Sequence, residues 1–282
     1  MSGGMTAPPA EPFFLDAAPG RRFCLFYPPL GACRGAVLYV HPFAEEMNRA
    51  RRMAALQARA LAQQGYGVLQ LDLHGCGDSG GDFGDARWTT WLDDLARGAA
   101  WLHARLGQPL TLWGLRLGAL LALDFARTAA HPPQALLLWQ PVLKGSSYLT
   151  QFLRLKMAAS LQGGDDAQPG TDALRRMLND GQTLEIAGYD LSPELAAALD
   201  ALDPLEAMTP PCPVHWFEAL SGAGRQLPAG AMRAADAWRA RGVDLRQHAL
   251  ACPPFWTTPE IAVSPDLVAA TTRALLEHAD AA

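Results

Sequence analysis

Three short runs hold the side chains whose types and spacing could do chemistry. They are His41-Pro42-Phe43-Ala44-Glu45-Glu46, the glycine-rich stretch Asp72-Leu73-His74-Gly75-Cys76-Gly77-Asp78-Ser79-Gly80-Gly81, and Gly114-Leu115-Arg116-Leu117-Gly118. The last has the frame of a nucleophile elbow: a strand and a helix joined through Gly-x-X-x-Gly, whose glycines allow a sharp turn that thrusts the central side chain outward. An acyl-transfer enzyme would carry Ser, Cys or Asp at that centre, and this chain carries Arg116. A guanidinium has no nucleophilic lone pair and stays charged at any physiological pH, so it forms no acyl-enzyme. Taken alone, the two glycines fit plain tight packing of helix on strand. The two neighbouring loops favour the elbow.

An outward-facing arginine at a helix N-terminus suits an anion. The orphan N–H groups and the dipole already favour negative charge there, and a guanidinium adds bidentate bonding to carboxylate, sulfate or phosphate. The internal competitor is Glu45 or Glu46, which could fill the site as a buried ion pair. Such a pair need not add stability, although losing one partner costs roughly 3–5 kcal/mol. Lys144 would add positive charge if it points inward. Covalent chemistry would instead need a relocated nucleophile. Cys76, Ser79, Ser146, Ser147 and Cys252 fall in loops that can face the site, and each requires a base within reach or a depressed thiol pKa. Cys76 beside His74 is the most suggestive pair, with Arg116 placed to favour a thiolate. Neighbours on a glycine-rich turn often point apart, however, and His74 bonding backbone in a turn is the plainer account.

Short β-rich runs alternate with longer helical ones, the pattern of a mostly parallel sheet wrapped by helices. Phe13–Leu15 and Phe23–Tyr27 flank Pro19-Gly20 as an opening hairpin. Ala36–Val40 is a strand apolar on both faces. A helix follows over about Ala50–Gln64, capped by Asn48 and closed by Gly65, then a strand at Val68–Leu73. Thr89 or Thr90 caps a helix to about Leu106, with Asp93 and Asp94 in its first turn. Leu110–Trp113 (strand), Ala119–Ala130 (helix) and Ala135–Trp139 (strand) continue the alternation. All three chemical runs thus open at the carboxyl edge of the sheet, where such folds bind ligands.

The period changes after residue 140. Residues 141–211 contain no convincing strand, three helical stretches (Tyr148–Leu161, Asp172–Asn179, Pro193–Leu202) and a polar break at Gly163–Thr171. An insertion of about 70 residues is too long for a loop and reads as a helical cap on a core of residues 1–140 and 212–282. The cap residues Tyr148, Phe152, Leu153, Leu155 and Met157 either pack on the core or roof an apolar pocket. The sheet resumes at Val214–Glu218, followed by a helix at Met232–Arg241, a strand at Val243–His248 and a final helix from Ser264.

Composition excludes several classes. Half of the 282 residues are apolar and 18% charged, so the chain is a globular folder. With 23 basic and 28 acidic side chains the formal charge is −5, which offers no footprint for nucleic acid. The five cysteines are scattered without a Cys-x-x-Cys pair, so neither a disulfide framework nor a metal site is expected, and no cofactor is called for. The small, proline-rich stretch from Met1 to Glu11 lacks the marks of a signal peptide, and no run approaches the ~20 apolar residues of a membrane span. A cytoplasmic location is expected.

Five segments carry a family resemblance: Val37–Asn48 (VLYVHPFAEEMN), Leu71–Asp85 (LDLHGCGDSGGDFGD), Leu112–Asp124 (LWGLRLGALLALD), Leu136–Leu143 (LLLWQPVL) and Glu185–Leu195 (EIAGYDLSPEL). Together they resemble the second of two α/β-hydrolase-superfamily proteins associated with bacterial exosortase A systems, which process PEP-CTERM proteins beside exopolysaccharide genes. The resemblance runs from about Glu11 to the last helix. It implies an α/β-hydrolase fold, an acyl ester or thioester chemistry by family name, and a functional link to the sister hydrolase.

The superfamily pattern then fails at several positions. His41 and Phe43 match the loop that donates one oxyanion-hole amide, with Pro42 where glycine is usual, and Leu117 would supply the second N–H. The triad acid would follow the strand at Val214–Glu218, where residues 219–228 hold no carboxylate and only Glu218 is available. The triad base would lie in residues 250–259, which hold Cys252, Phe255 and Trp256 but no histidine. His248 is near but belongs to the strand. Two readings remain open: a non-hydrolytic binder of an acyl or anionic small molecule, using Arg116 and backbone amides, or a hydrolase using Cys76 or Ser79 with His74 or His248. A purely structural partner of the sister hydrolase is a third.

Overall fold

The apolar runs of the sequence become strands of one eight-stranded sheet, seen in a computed structural model that describes residues 8–163, 170–220, 222 and 225–281. β1 (Glu11–Asp16) and β2 (Arg21–Tyr27) form the opening hairpin. β3 (Gly35–Val40), β4 (Tyr66–Leu71), β5 (Leu110–Leu115), β6 (Ala135–Trp139), β9 (Val214–Leu220) and β10 (Leu245–Ala251) follow in the spatial order β1-β2-β4-β3-β5-β6-β9-β10. From β4 to β10 every neighbouring pair is parallel; only the two pairings of β2 are antiparallel. This is the α/β-hydrolase fold.

A parallel sheet needs helices on both faces, and the central strands are buried on both. Helices α1 (Glu45–Gln63) and α8 (Pro265–Ala281) share a core with Val37, Leu137 and Phe217. On the opposite face α2 (Trp88–Leu106), α3 (Leu117–Thr128) and α7 (Ala229–Ala240) pack against Leu38, Leu112 and Leu136. No helix among the described residues is long and apolar enough to cross a membrane.

Three differences from the sequence reading have physical causes. α1 begins at Glu45, five residues early, and Asn48 lies inside it; the helix starts where Ala44 turns through φ 50°, ψ −130°, which places Glu45 and Glu46 in its first turn. α2 starts at Trp88 behind Arg87, not at Thr89 or Thr90, and its first turn has no acidic residue. Arg87 sets that start: its Nη1 donates to the nearby carbonyls of Gly84 and Ala86 and, from a distant segment, to Ser192 Oγ. Asp94, expected with Asp93 in that first turn, lies further along α2 and is buried against Arg22.

The third difference lies between β6 and β9. This stretch contains α4 (Gly145–Gly163), α5 (Thr171–Asn179) and α6 (Pro193–Ala201), near the expected helices, but also a hairpin of β7 (Leu184–Ile186) and β8 (Tyr189–Leu191). Of the polar break 163–171, residues 164–169 lie outside the described residues, as do residues 1–7 of the N-terminal stretch. A two-residue hairpin turn that needs positive φ at both centres normally advertises itself as Asn-Gly. Here the positions are Ala187 (φ 52°) and Gly188 (φ 84°), so half the signal is missing.

Candidate functional site

Arg116 stands between β5 and α3 at φ 57°, ψ −119°, a left-handed conformation that costs a residue with a Cβ of order 1–3 kcal/mol. The surroundings over-determine it. Arg116 N–H donates to the Trp139 carbonyl, and the Arg116 carbonyl accepts from Ala119 and Val142 N–H. A Cβ on Gly114 would lie 2.5 Å from Ala119 Cα, and one on Gly118 would lie 2.3 Å from the Val40 carbonyl oxygen. Both glycines are therefore required by close approach, and the turn is a true elbow. Gly118→Ala should cost at least about 1–3 kcal/mol through this overlap, read by denaturant unfolding; a neutral outcome would mean that α3 can slide.

The elbow presents the guanidinium to a cavity of about 280 Å³ at the carboxyl edge of the sheet, lined by Phe43, Glu46, Arg49, Tyr148, Phe152 and Trp256 among others. Arg116 both faces this cavity and pairs inside it. Its Nε donates to Glu46 Oε1 at 3.3 Å, with side-chain exposures of 17% and 15%. Its Cζ lies 5.7 Å from the Tyr148 ring centre and 5.5 Å from that of Trp256, within cation–π range. Among the described residues neither Nη meets an acceptor. Tyr148 OH donates to Glu46 Oε2 at 3.1 Å. Burial pushes the Glu46 carboxyl above its ordinary range, against the pull of Arg116 and Tyr148.

Glu45 does not reach Arg116. It is exposed, paired with Arg49 at 3.4 Å, and accepts from Tyr189 OH. Lys144 is exposed and does not line the cavity, so it adds no charge there. Leu117 opens α3, so its N–H has no acceptor within the helix. Phe43 lies between the cavity and the core, with its ring edge-on to Phe83, Tyr148 and Phe152. The His41 ring points elsewhere: Nε2 accepts from Leu73 N–H at 3.2 Å, so Nδ1 carries the proton and donates to the Pro42 carbonyl at 2.7 Å. Burial holds this imidazole below its usual pKa.

The candidates for a relocated nucleophile are tied into the scaffold. Ser79 Oγ donates to the Asp72 carbonyl and accepts from Phe23 N–H at 2.8 Å, fastening the glycine-rich loop to β2. Cys76 is buried, and burial drives its thiol pKa up, with Asp72 and Asp94 adding to the rise. A nucleophilic thiolate needs the opposite. Arg116 is not among the groups acting on Cys76. His74 N–H donates to Asp94 Oδ2 at 2.8 Å, and its ring packs against Gly81, where a Cβ would lie 2.4 Å from Cε1. Ser146 and Ser147 lie on α4 and are not among the cavity residues, and the Cys252 thiol donates to the Pro253 carbonyl.

The two remaining candidates are placed differently. Glu218 is not a solvated strand end: it is 5% exposed, accepts from Trp216 Nε1 and Gln140 Nε2 at 2.8 Å each, and burial raises its pKa. His248 lies within β10, stacked on Phe217 at 4.5 Å, with Nε2 3.4 Å from Nδ1 of His215. Neither partner lines the cavity.

Three cavity residues are not singled out as site residues by the sequence. Tyr148 reads only as cap packing or as part of a pocket roof, Trp256 only as an occupant of a loop searched for histidine, and Arg49 not at all. Gln140, which holds Glu218 off the cavity, follows β6 as Arg116 follows β5, and it too adopts positive φ (43°).

The sheet order, the elbow and the cavity at its carboxyl edge define an α/β hydrolase by architecture. A family model described as Serine aminopeptidase, S33 matches residues 31–185, more than half the chain, and the chain belongs to that family. No curated protein matches it by sequence. Among solved structures it is similar to Est1E from Butyrivibrio proteoclasticus with ferulic acid bound (TM-score 0.69, 14% identity, covering 94% of this chain and 98% of that one). It is also similar to a soluble variant of monoglyceride lipase from Saccharomyces cerevisiae in complex with a substrate analog (0.63, 14%, 99% and 97%). A proline iminopeptidase from Mycobacterium smegmatis aligns as well (0.62, 15%, 96% and 99%). At these identities the likeness is one of fold.

Proposed function

We propose that this protein binds a small acyl or anionic amphiphile in the cavity at the elbow without serine hydrolysis. The observation that carries the reading is the Arg116 guanidinium at the elbow apex, lining the cavity with Nε on Glu46 and no acceptor on either Nη among the described residues. A ligand carboxylate or sulfonate would take the Nη pair, near the N-terminus of α3 and the Leu117 N–H. Phe43, Phe152 and Leu155 would take its apolar part. Residues 141–211 act in this reading as the cap, because α4 supplies Tyr148, Phe152 and Leu155.

On the resemblance to the exosortase A-associated hydrolase of the second type, the setting would be cytoplasmic, beside the sister hydrolase and exopolysaccharide synthesis. The rival is ester or thioester hydrolysis by Cys76 or Ser79 with His74 or His248. The burial of Cys76 and the two hydrogen bonds of Ser79 weigh against it.

The test is thermal unfolding with sodium decanoate. At a hundredfold excess over Kd, ligand linkage adds about 2.7 kcal/mol, so wild type should melt roughly 5 °C higher. Arg116→Ala should not shift. Equal shifts in both proteins would remove Arg116 as the anchor, and no shift in either would remove the binding reading.

A further inference from the structure

We infer that Glu46 is an internal competitor for the Arg116 guanidinium, so that an anion enters this site together with one proton. The inference rests on the binding reading above and assigns its regulation. Glu46 Oε1 occupies the Nε edge of the same planar group, which lines the cavity and whose Nη atoms meet no acceptor among the described residues. An anion on the Nη pair therefore arrives within a few ångströms of a carboxylate that is only 15% exposed and weakly screened by water. Two like charges at one desolvated site cannot both stay ionised at little cost, and the resident group is the one that can accept a proton.

Glu46 is already biased that way, since burial lifts its pKa. The proton comes from water onto a Glu46 carboxylate oxygen, and no bond to the ligand is made or broken. Tyr148 OH, which now donates to Glu46, can turn to accept from the protonated acid.

Other charged groups meet the same space. Arg49 and Glu45, on α1 beside Glu46, pair with each other and leave the local balance unchanged. From β9, Glu218 senses Arg116, but both its oxygens are held by Trp216 and Gln140. Trp256, after β10, and Tyr148, on α4, are uncharged walls.

Octane-1-sulfonate is the probe, because it stays charged over the whole range and any proton taken up must go to the protein. Isothermal titration in two buffers of different ionisation enthalpy should give close to one proton per ligand near pH 7.5. Affinity should rise by up to about tenfold per pH unit on acidification. Glu46→Gln should bind at least about tenfold tighter at pH 8 and take up no proton, whereas Glu218→Gln should behave as wild type. Binding without proton uptake, or uptake that survives Glu46→Gln, overturns the inference and leaves the binding site standing. Absence of binding at any pH overturns both.

Discussion

Asp94→Leu should lower the unfolding free energy by about 3–5 kcal/mol, which is on the order of a 10 °C fall in Tm. Arg22 and Asp94 are 0% and 1% exposed and meet at 2.7 Å, so the substitution strands a full positive charge inside the protein. Asp94 also accepts the His74 N–H, and Arg22 Nη1 donates to the Pro19 carbonyl. One carboxylate thus ties β2, α2 and the glycine-rich loop after β4 together. Burial raises the Asp94 pKa despite these partners. Arg22→Met combined with Asp94→Leu should recover most of the loss, because replacing a buried pair by apolar groups is often near neutral. A double variant as unstable as the single one would show that packing, not the orphaned charge, dominates.

The second large effect is an absence of chemistry. A fluorophosphonate probe should label neither wild type nor Arg116→Ser stoichiometrically. Ester turnover by Arg116→Ser should stay at least about 10⁴-fold below that of a triad enzyme, since a nucleophile without its base loses roughly that much. Arg116→Ser removes the guanidinium that reaches Glu46 and supplies no base, and residues 250–259 hold no imidazole. His248 is committed to Phe217 and His215. Stoichiometric labelling of wild type at any serine would overturn the non-hydrolytic reading, and the labelled residue would identify the relocated nucleophile.

Three of the local signals that made the sequence legible are strong. Continuous apolar runs such as Ala36–Val40 and Ala135–Trp139 permit little but buried parallel strands, and both are found within a residue of their expected limits. The glycines at 114 and 118 marked the elbow because no Cβ fits at either place. Chain order alone then brought the three loops to one sheet edge. What stayed hidden depends on contacts between distant segments. The start of α2 is set by Arg87 reaching residue 192, and the burial of Asp94 by an arginine 72 positions earlier.

The amino-acid sequence by itself determined the strand–helix alternation and the identity of the residue at the elbow, because both follow from side-chain chemistry and short-range geometry. It also raised the choice between a cavity and an internal partner for Arg116 without deciding it. Only the folded chain decided that the guanidinium has both. Its Nε is held by Glu46, which lies 70 residues away, and its remaining face is framed by aromatic rings from α4 and the loop after β10. The direction of a flexible charged side chain is set by the partners that surround it, and those come from parts of the chain that meet only on folding.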